Sequence, residues 1–422
     1  MIHQARGNVA RVDIAIVGGG IAGSSLAITM QRAGWSTAVI EREPVFRDRV
    51  RGEACHPWGV KELIELDLLP FVHQIGGLEL PIWTIYRGGE VDLTFRWNEA
   101  FPGSPPEIGF NHPDLQEALL TGAATAGARV CRPARASIAR LRTDWVLQID
   151  DGESQSDLRA DFLVAADGKN SGTRRLWGGE SVTDPAQHSF GGMLVTGIPL
   201  PQDSAHQGYH NAGFSMLFPQ GNDRWRAYLV GPLDMATNYS GADREERYIQ
   251  ACAACYPAGA LANARPAGPL AFFPNSHVLS TRIDGTMAVA IGDAAGAADP
   301  SQGHGMSMVW RDVRELRDLL LAFDLADVPA AFAKRRHAYE HVLRTHAAWV
   351  APLTTDTDEF TLALKKQVEA AREADPTALG YAGIFANGPD SLPTDEVTRS
   401  AFFGEHLTAT PVFARTALDK SE

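Results

Sequence analysis

Three groups of residues in this chain have the types and spacing of ligand chemistry. The first is Gly18, Gly20 and Gly23, a G-x-G-x-x-G enclosing Ala22, with Glu41 lying 18 residues beyond the last glycine. In that spacing the first glycine makes a tight turn, the second lets a pyrophosphate approach the backbone, and the third packs helix on strand. The N-terminus of the following helix stabilises the anion, and an acid at the distance of Glu41 accepts from ribose hydroxyls. The second group is Asp161 to Gly168, continuing to Arg174. The third is Ala288 to Asp293, continuing through Asp299 and Pro300 to Gly303, His304, Gly305 and Met306. In both, an apolar run delivers an aspartate, Asp167 or Asp293, to a turn.

Groups able to move protons are His56, Tyr209, His210 and His304. A histidine deprotonates a phenol or amine at neutral pH. Cys252 and Cys255 have zinc or redox spacing without a second cysteine pair, and His337 and His341 lack a third ligand, so no metal is expected. No G-x-S-x-G supports nucleophilic hydrolysis.

The elements that must position these groups follow from periodicity. Val12 to Val17 reads as a buried strand, Ser24 to Ala33 as a helix closed by Gly34, and Ser36 to Ile40 as a second strand. This is a β-α-β unit with parallel pairing and a right-handed crossover. Alternation over Val91 to Trp97 behind Gly88-Gly89 marks a hairpin and the start of an antiparallel sheet. Leu115 to Ala126 reads as helix, Ala139 to Ile149 as a β pair, and Asp161 to Ala166 as a strand. Further strands are expected at Gly191 to Ile198, Gly213 to Phe218, Trp225 to Gly231 and Met287 to Ile291. Helical spacing covers Met306 to Phe323, Pro329 to Ala348 and Asp358 to Ala374, and Gly380 to Pro393 reads as loop.

The chain has 422 residues, 45% hydrophobic and 21% charged, enough for a sizeable core and two or three structural units. A net charge of −13 argues against nucleic acid or an anionic membrane as partner. Four cysteines are too few for a disulfide framework, and three glycines interrupt the apolar stretch Val12 to Met30, so a cytoplasmic protein without a membrane span is expected.

Taken in order, the three motifs resemble the FAD-dependent monooxygenases of the para-hydroxybenzoate hydroxylase type, whose wider relatives include flavin halogenases and geranylgeranyl reductases. The resemblance runs from Val12 to about Ala348. It implies an α/β fold: a Rossmann-like FAD-binding domain with a parallel sheet, an inserted antiparallel-sheet substrate domain, and a C-terminal helical segment. The expected division is FAD-binding domain over 1–78, 106–188 and 279–348, substrate domain over 79–105 and 189–278, and a helical region over 349–422.

Carried over by motif, the resemblance gives Gly18, Gly20, Ala22, Gly23, Glu41 and Arg42 to the ADP half of FAD, and Asp293 to the ribityl chain. Pro300, Gly303, His304, Gly305 and Met306 lie against the isoalloxazine ring, and Arg51 belongs to a turn beside it. Asp167, Gly168, Ser171 and Arg174 match a motif serving FAD packing and the nicotinamide cofactor, although Asp167 reads equally as a carboxylate satisfied within its own turn. Two departures stand out: His112 replaces an arginine before the central helix, and His304 replaces a glutamine between two glycines.

The implied cycle uses NAD(P)H to reduce FAD and O2 to form a flavin hydroperoxide, which hydroxylates or epoxidises a small aromatic or secondary-metabolite substrate. Trp83, Tyr209, Met216, Trp225 and Phe273 are expected to line an apolar pocket, and His56, Tyr209 and His304 to assist proton transfer. A separate flavin reductase as electron source, and hydride delivery to a carbon-carbon double bond, remain open alternatives. The halogenase signature segment is missing, Pro81 to Trp83 being the nearest, which leaves halogenation a minor alternative.

Overall fold

The computed structural model describes residues 9–50, 52–141, 143–210, 213–355, 358–374 and 383–405. At its centre the strand Ala10–Val17 pairs in parallel with Thr37–Ile40 on one side and with Gln155–Ala165 on the other. Arg129–Cys131 and Ala288–Ala290 extend the sheet in parallel at either end. Strands buried on both faces read as continuous apolar runs rather than alternations, and Ile14, Ala15 and Ile16 are accordingly inaccessible to solvent. The helices Ile21–Arg32, His112–Thr125 and Gly305–Ala322 pack with this sheet into the largest core.

A second, eight-stranded sheet contains Ile82–Arg87, Glu90–Arg96, Ser189–Thr196, Ser204–His210, Gly213–Pro219 and Trp225–Gly231. The hairpin at Gly88-Gly89 is present, with both glycines at positive φ, 57° and 82°. The sheet departs from a purely antiparallel one in a single pair: Ser204–His210 runs parallel to Ile82–Arg87 and joins the hairpin to the rest. Its two faces support different cores. Trp225, Ala227 and Leu229 face the helix Arg244–Ala253, whereas Phe214, Met216, Phe218 and Tyr228 lie in a different cluster, with Val50, Leu80 and Trp83.

A small third sheet links the two halves, with Glu107–Gly109 central between Ala54–Cys55 and Leu78–Leu80. The long helix Val328–Val350 and the helix Glu359–Ala374 follow as expected. The stretch expected to be loop differs: where described it forms a short helix, Gly383–Asn387, and a 3-10 turn, Pro389–Ser391. Ile384 and Phe385 make it stay, packing into a cluster with Trp58, Tyr339 and Leu343. None of the described helices is long and apolar enough to cross a membrane.

Candidate functional site

The glycine turn is dictated by contacts that leave no room for a side chain. Gly18 has φ +108°, and a Cβ there would stand 2.2 Å from the carbonyl oxygen of Ala166, just past the end of the neighbouring strand. At Gly23 a Cβ would stand 2.0 Å from the Gly18 carbonyl oxygen, so helix and turn touch backbone to backbone. Gly20 is different: the nearest atom to its Cβ position is Gln116 Nε2, at 3.5 Å. The helix Ile21–Arg32 has neither a side-chain cap nor an acid in its first turn, which leaves its positive end to whatever occupies the space in front. Glu41 is held beside this turn by two backbone donors, Gly19 N–H on Oε2 and Glu43 N–H on Oε1, each at 2.7 Å. A carboxylate oxygen has a second lone pair, so both retain capacity for hydroxyl donors. Ala22 lies on the same wall, and Arg42 is half-exposed and pairs with Glu43 at 3.3 Å.

The third motif builds a second helix end facing the same space. Asp293 stands in the 3-10 turn Gly292–Ala294 on the cavity wall. Behind it Gly292 donates to the buried Asp312, which Arg336 meets at 3.2 Å. Asp299 caps Ser301 N–H at 2.8 Å, and Gly303 turns the chain with φ +65° into the helix Gly305–Ala322, whose first turn also has no acid and no side-chain cap. A Cβ at Gly305 would meet no atom within 4 Å. The protein itself does not need glycine there; the open space in front of it does.

Between these two ends runs a cavity of about 2210 Å³, lined also by Pro300, Gly303, Met306 and Gly168. That is more than twice the roughly 1,000 Å³ upper range of pockets for drug-sized ligands, room for a dinucleotide and a second molecule. The two uncapped helix ends, the pinned Glu41 and the open positions at Gly20 and Gly305 fit FAD.

In the second motif Asp167 accepts from the Ser171 hydroxyl on Oδ1 and from Thr173 N–H and Oγ1 on Oδ2, and the residue borders the cavity. Arg174 is buried and donates to the carbonyls of Gly179, at 3.1 Å, and Ala294, at 2.7 Å, bolting this turn to the one carrying Asp293. His112 lines the cavity and donates from Nδ1 to the Gly52 carbonyl at 2.8 Å, bracing the turn at Gly52. Arg51, in that turn, lies outside the described residues.

The far end of the cavity is aromatic. Trp83 meets Trp97 and Phe218 edge to face, Phe273 stacks on Phe190 at 5.5 Å, and Met216 and Phe214 lie between them. Tyr209 stands under the Arg87 guanidinium, 4.7 Å from ring centre, and takes a hydrogen bond from Gln207. Two expectations are corrected. Trp225 is fully buried on the opposite face of the sheet, beside His206, because it starts a strand of which only the alternate residues reach the cavity. The His304 side chain lies behind the wall, stacked on Phe385 at 5.2 Å and accepting from Trp58 Nε1 at Nδ1; burial pushes its pKa well down, so it is a neutral packing residue and not a proton donor to the cavity.

His56 does reach the wall, with Nε2 2.9 Å from the Gln302 carbonyl and Nδ1 3.1 Å from Glu107 Oε1. Sequence reading missed Glu107, and also Tyr228, whose phenol donates to Glu53 while Arg226 pairs with Glu53 at 2.9 Å and Asp48 at 2.8 Å. It missed Phe385 and Phe402, which bring the C-terminal helices to the wall. Cys252 and Cys255 are buried free thiols in the second core, His337 and His341 are exposed, and no metal-holding cluster occurs among the described residues.

Comparison with known proteins bears on the same region. The model of the family described as FAD binding domain matches residues 11–326. Squalene epoxidase 2, mitochondrial, of Arabidopsis thaliana is 24% identical over 417 residues, covering 95% of this chain and 70% of that protein. Among solved structures, a probable FAD-dependent monooxygenase from Pseudomonas aeruginosa, PqsL, superimposes with a TM-score of 0.70 at 20% identity, covering 82% of this chain and 97% of the other. The p-nitrophenol 4-monooxygenase PnpA of Pseudomonas putida DLL-E4 gives 0.73 at 16% identity, over 93% of this chain and 99% of the other.

Proposed function

The chain belongs to the FAD binding domain family, and from that premise we propose that it is an FAD-dependent monooxygenase that hydroxylates or epoxidises an apolar substrate, with NAD(P)H as the reductant. The observation that carries this reading is one continuous cavity joining two uncapped helix N-termini to an aromatic chamber. Bound FAD would supply the electron transfer and O2 activation that no side chain offers.

The chain's own residues do the rest. The turn Gly18–Gly23 holds the pyrophosphate with backbone N–H groups, Glu41 accepts from the ribose, and Asp293 from the ribityl chain. The turn Pro300–Met306 sets the uncapped N-terminus of Gly305–Ala322 toward the cavity, where its backbone N–H groups would favour negative charge on a bound flavin. Trp83, Phe214, Met216, Phe218 and Phe273 receive the substrate and keep water from the reacting atoms. Tyr209, with its hydroxyl on the same wall, orients a polar group of the substrate.

A relative by sequence, named as a squalene epoxidase, supports an apolar substrate and puts alkenes among the compounds to test. The test is turnover of FAD-loaded protein with NADH or NADPH on a panel of apolar phenols and isoprenoid alkenes under 18O2. A product carrying one labelled oxygen, with matching O2 consumption, is expected. A reduced, unlabelled product formed equally well without O2 would replace the reading by a reductase.

A further inference from the structure

The contacts of His56 count its protons. Nε2 lies 2.9 Å from the Gln302 carbonyl oxygen, which only accepts, so Nε2 carries a hydrogen. Nδ1 lies 3.1 Å from Glu107 Oε1, close though not aligned as a straight hydrogen bond. With a neutral ring bearing its hydrogen on Nε2, a bare Nδ1 would face a bare carboxylate, lone pair to lone pair. With the hydrogen on Nδ1, a bare Nε2 would face the carbonyl instead. Both contacts are attractive only when the pair holds two protons, as imidazolium with carboxylate or as neutral ring with carboxylic acid.

The surroundings favour retention of that second proton. Glu107 is inaccessible to solvent, and among the described residues neither of its oxygens has another hydrogen-bond partner. Burial raises its pKa, against the opposing pull of His56. The backbone fixes the two residues together: Glu107 starts the central strand of the small sheet, and His56 directly follows the strand Ala54–Cys55 paired to it. The other titratable groups around them are the Cys55 thiol, bonded to Ser307 and pushed upward by burial, and the neutral His304, with His346 beyond it. Among the described residues none of these donates to Glu107.

We propose that His56 and Glu107 are a proton-sharing positioning pair that fixes the Gln302 peptide, and through it the turn Pro300–Gly305, against the cavity. Gly303 shows how tight this brace is, because a Cβ there would stand 2.6 Å from His56 Nε2. The part of the proposal that concerns flavin rests on the FAD-binding reading. Loss of the second proton at alkaline pH turns one contact repulsive and loosens the turn.

The test uses the full chain labelled with 15N-histidine, His56 being assigned by its loss in His56→Gln. The expected spectrum shows Nε2 carrying its hydrogen at neutral pH, as the contact with the Gln302 carbonyl requires. A bare Nε2 overturns the proposal whether or not flavin is present. FAD affinity supplies the second readout. Wild-type affinity should weaken about tenfold at alkaline pH, the scale of one buried unsatisfied group. Glu107→Gln, whose amide donates to Nδ1 and cannot lose that proton by titration, should keep the neutral-pH affinity throughout, and Glu107→Ala should be weak throughout. Equal behaviour of the Gln and Ala variants overturns the positioning role. Failure of every form to bind FAD overturns the FAD-binding reading and this role with it, while the ring spectrum still decides the proton count.

Discussion

Substitution of Gly305 by alanine separates what the fold needs from what its ligand needs. The residue opens the helix Gly305–Ala322, its backbone is not in the left-handed region, and its Cβ position has no neighbour within 4 Å. Alanine is a better helix former than glycine by up to about 1 kcal/mol, so the flavin-free protein should be as stable as wild type or slightly more so. The added methyl instead enters the space assigned to the flavin ring. Overpacking a fitted contact costs about 1–3 kcal/mol, which corresponds to about a 5- to 150-fold weaker dissociation constant for FAD. Thermal unfolding without added flavin, followed by titration with FAD while flavin fluorescence is monitored, reads the two effects separately. An unchanged affinity would refute the placement of the ring against this helix end, and a loss of flavin-free stability would refute the claim that the glycine serves the ligand.

Gly18→Ala should behave oppositely, losing about 3 kcal/mol or more of stability with or without flavin, because its Cβ would stand 2.2 Å from the Ala166 carbonyl oxygen at φ +108°; chemical denaturation measures it. Trp225→Ala should cost about 3–5 kcal/mol by leaving a void in the second core while the order of preference among apolar substrates stays as it was. Met216→Trp should fold and reorder those preferences, since that side chain faces the cavity. Burial pushes Glu340 up, but Arg336 at 2.8 Å and then His277 outweigh it and hold the carboxyl at about 2 against an ordinary 4.5. Its contribution, up to about 3 kcal/mol, is complete above the unfolded value and is lost as pH falls toward the folded one. Unfolding midpoints of wild type should therefore drop between about pH 4.5 and 2 by more than those of Glu340→Gln.

The nucleotide half was legible because local backbone demands are written in residue type: Gly18, Gly23 and Gly303 sit where a side chain clashes or a turn requires positive φ. The aromatic chamber was only half legible. Trp225–Gly231 is buried on both faces, and only the short alternation of Arg226 and Tyr228 with Trp225, Ala227 and Leu229 tells which residues face which core. Trp225 and Tyr228 differ in direction by strand parity alone, and the pairing of Tyr228 with Met216 fixes it. The partnership of His56 with Glu107 was invisible, since only the small sheet brings the two segments together and Glu107 stands in no motif. His304 was misjudged because the ring that buries it, Phe385, belongs to a stretch whose Gly, Pro and Asn content reads as loop.

The most direct measurement is the reoxidation of FAD-loaded protein, photoreduced without oxygen and then mixed with O2 in a stopped-flow spectrometer. The account predicts a transient species absorbing at shorter wavelength than oxidised flavin, with oxidised flavin returning only afterwards, because the apolar walls of the aromatic chamber disfavour water there. Return of oxidised flavin in one phase, with no transient at any oxygen concentration, would contradict it.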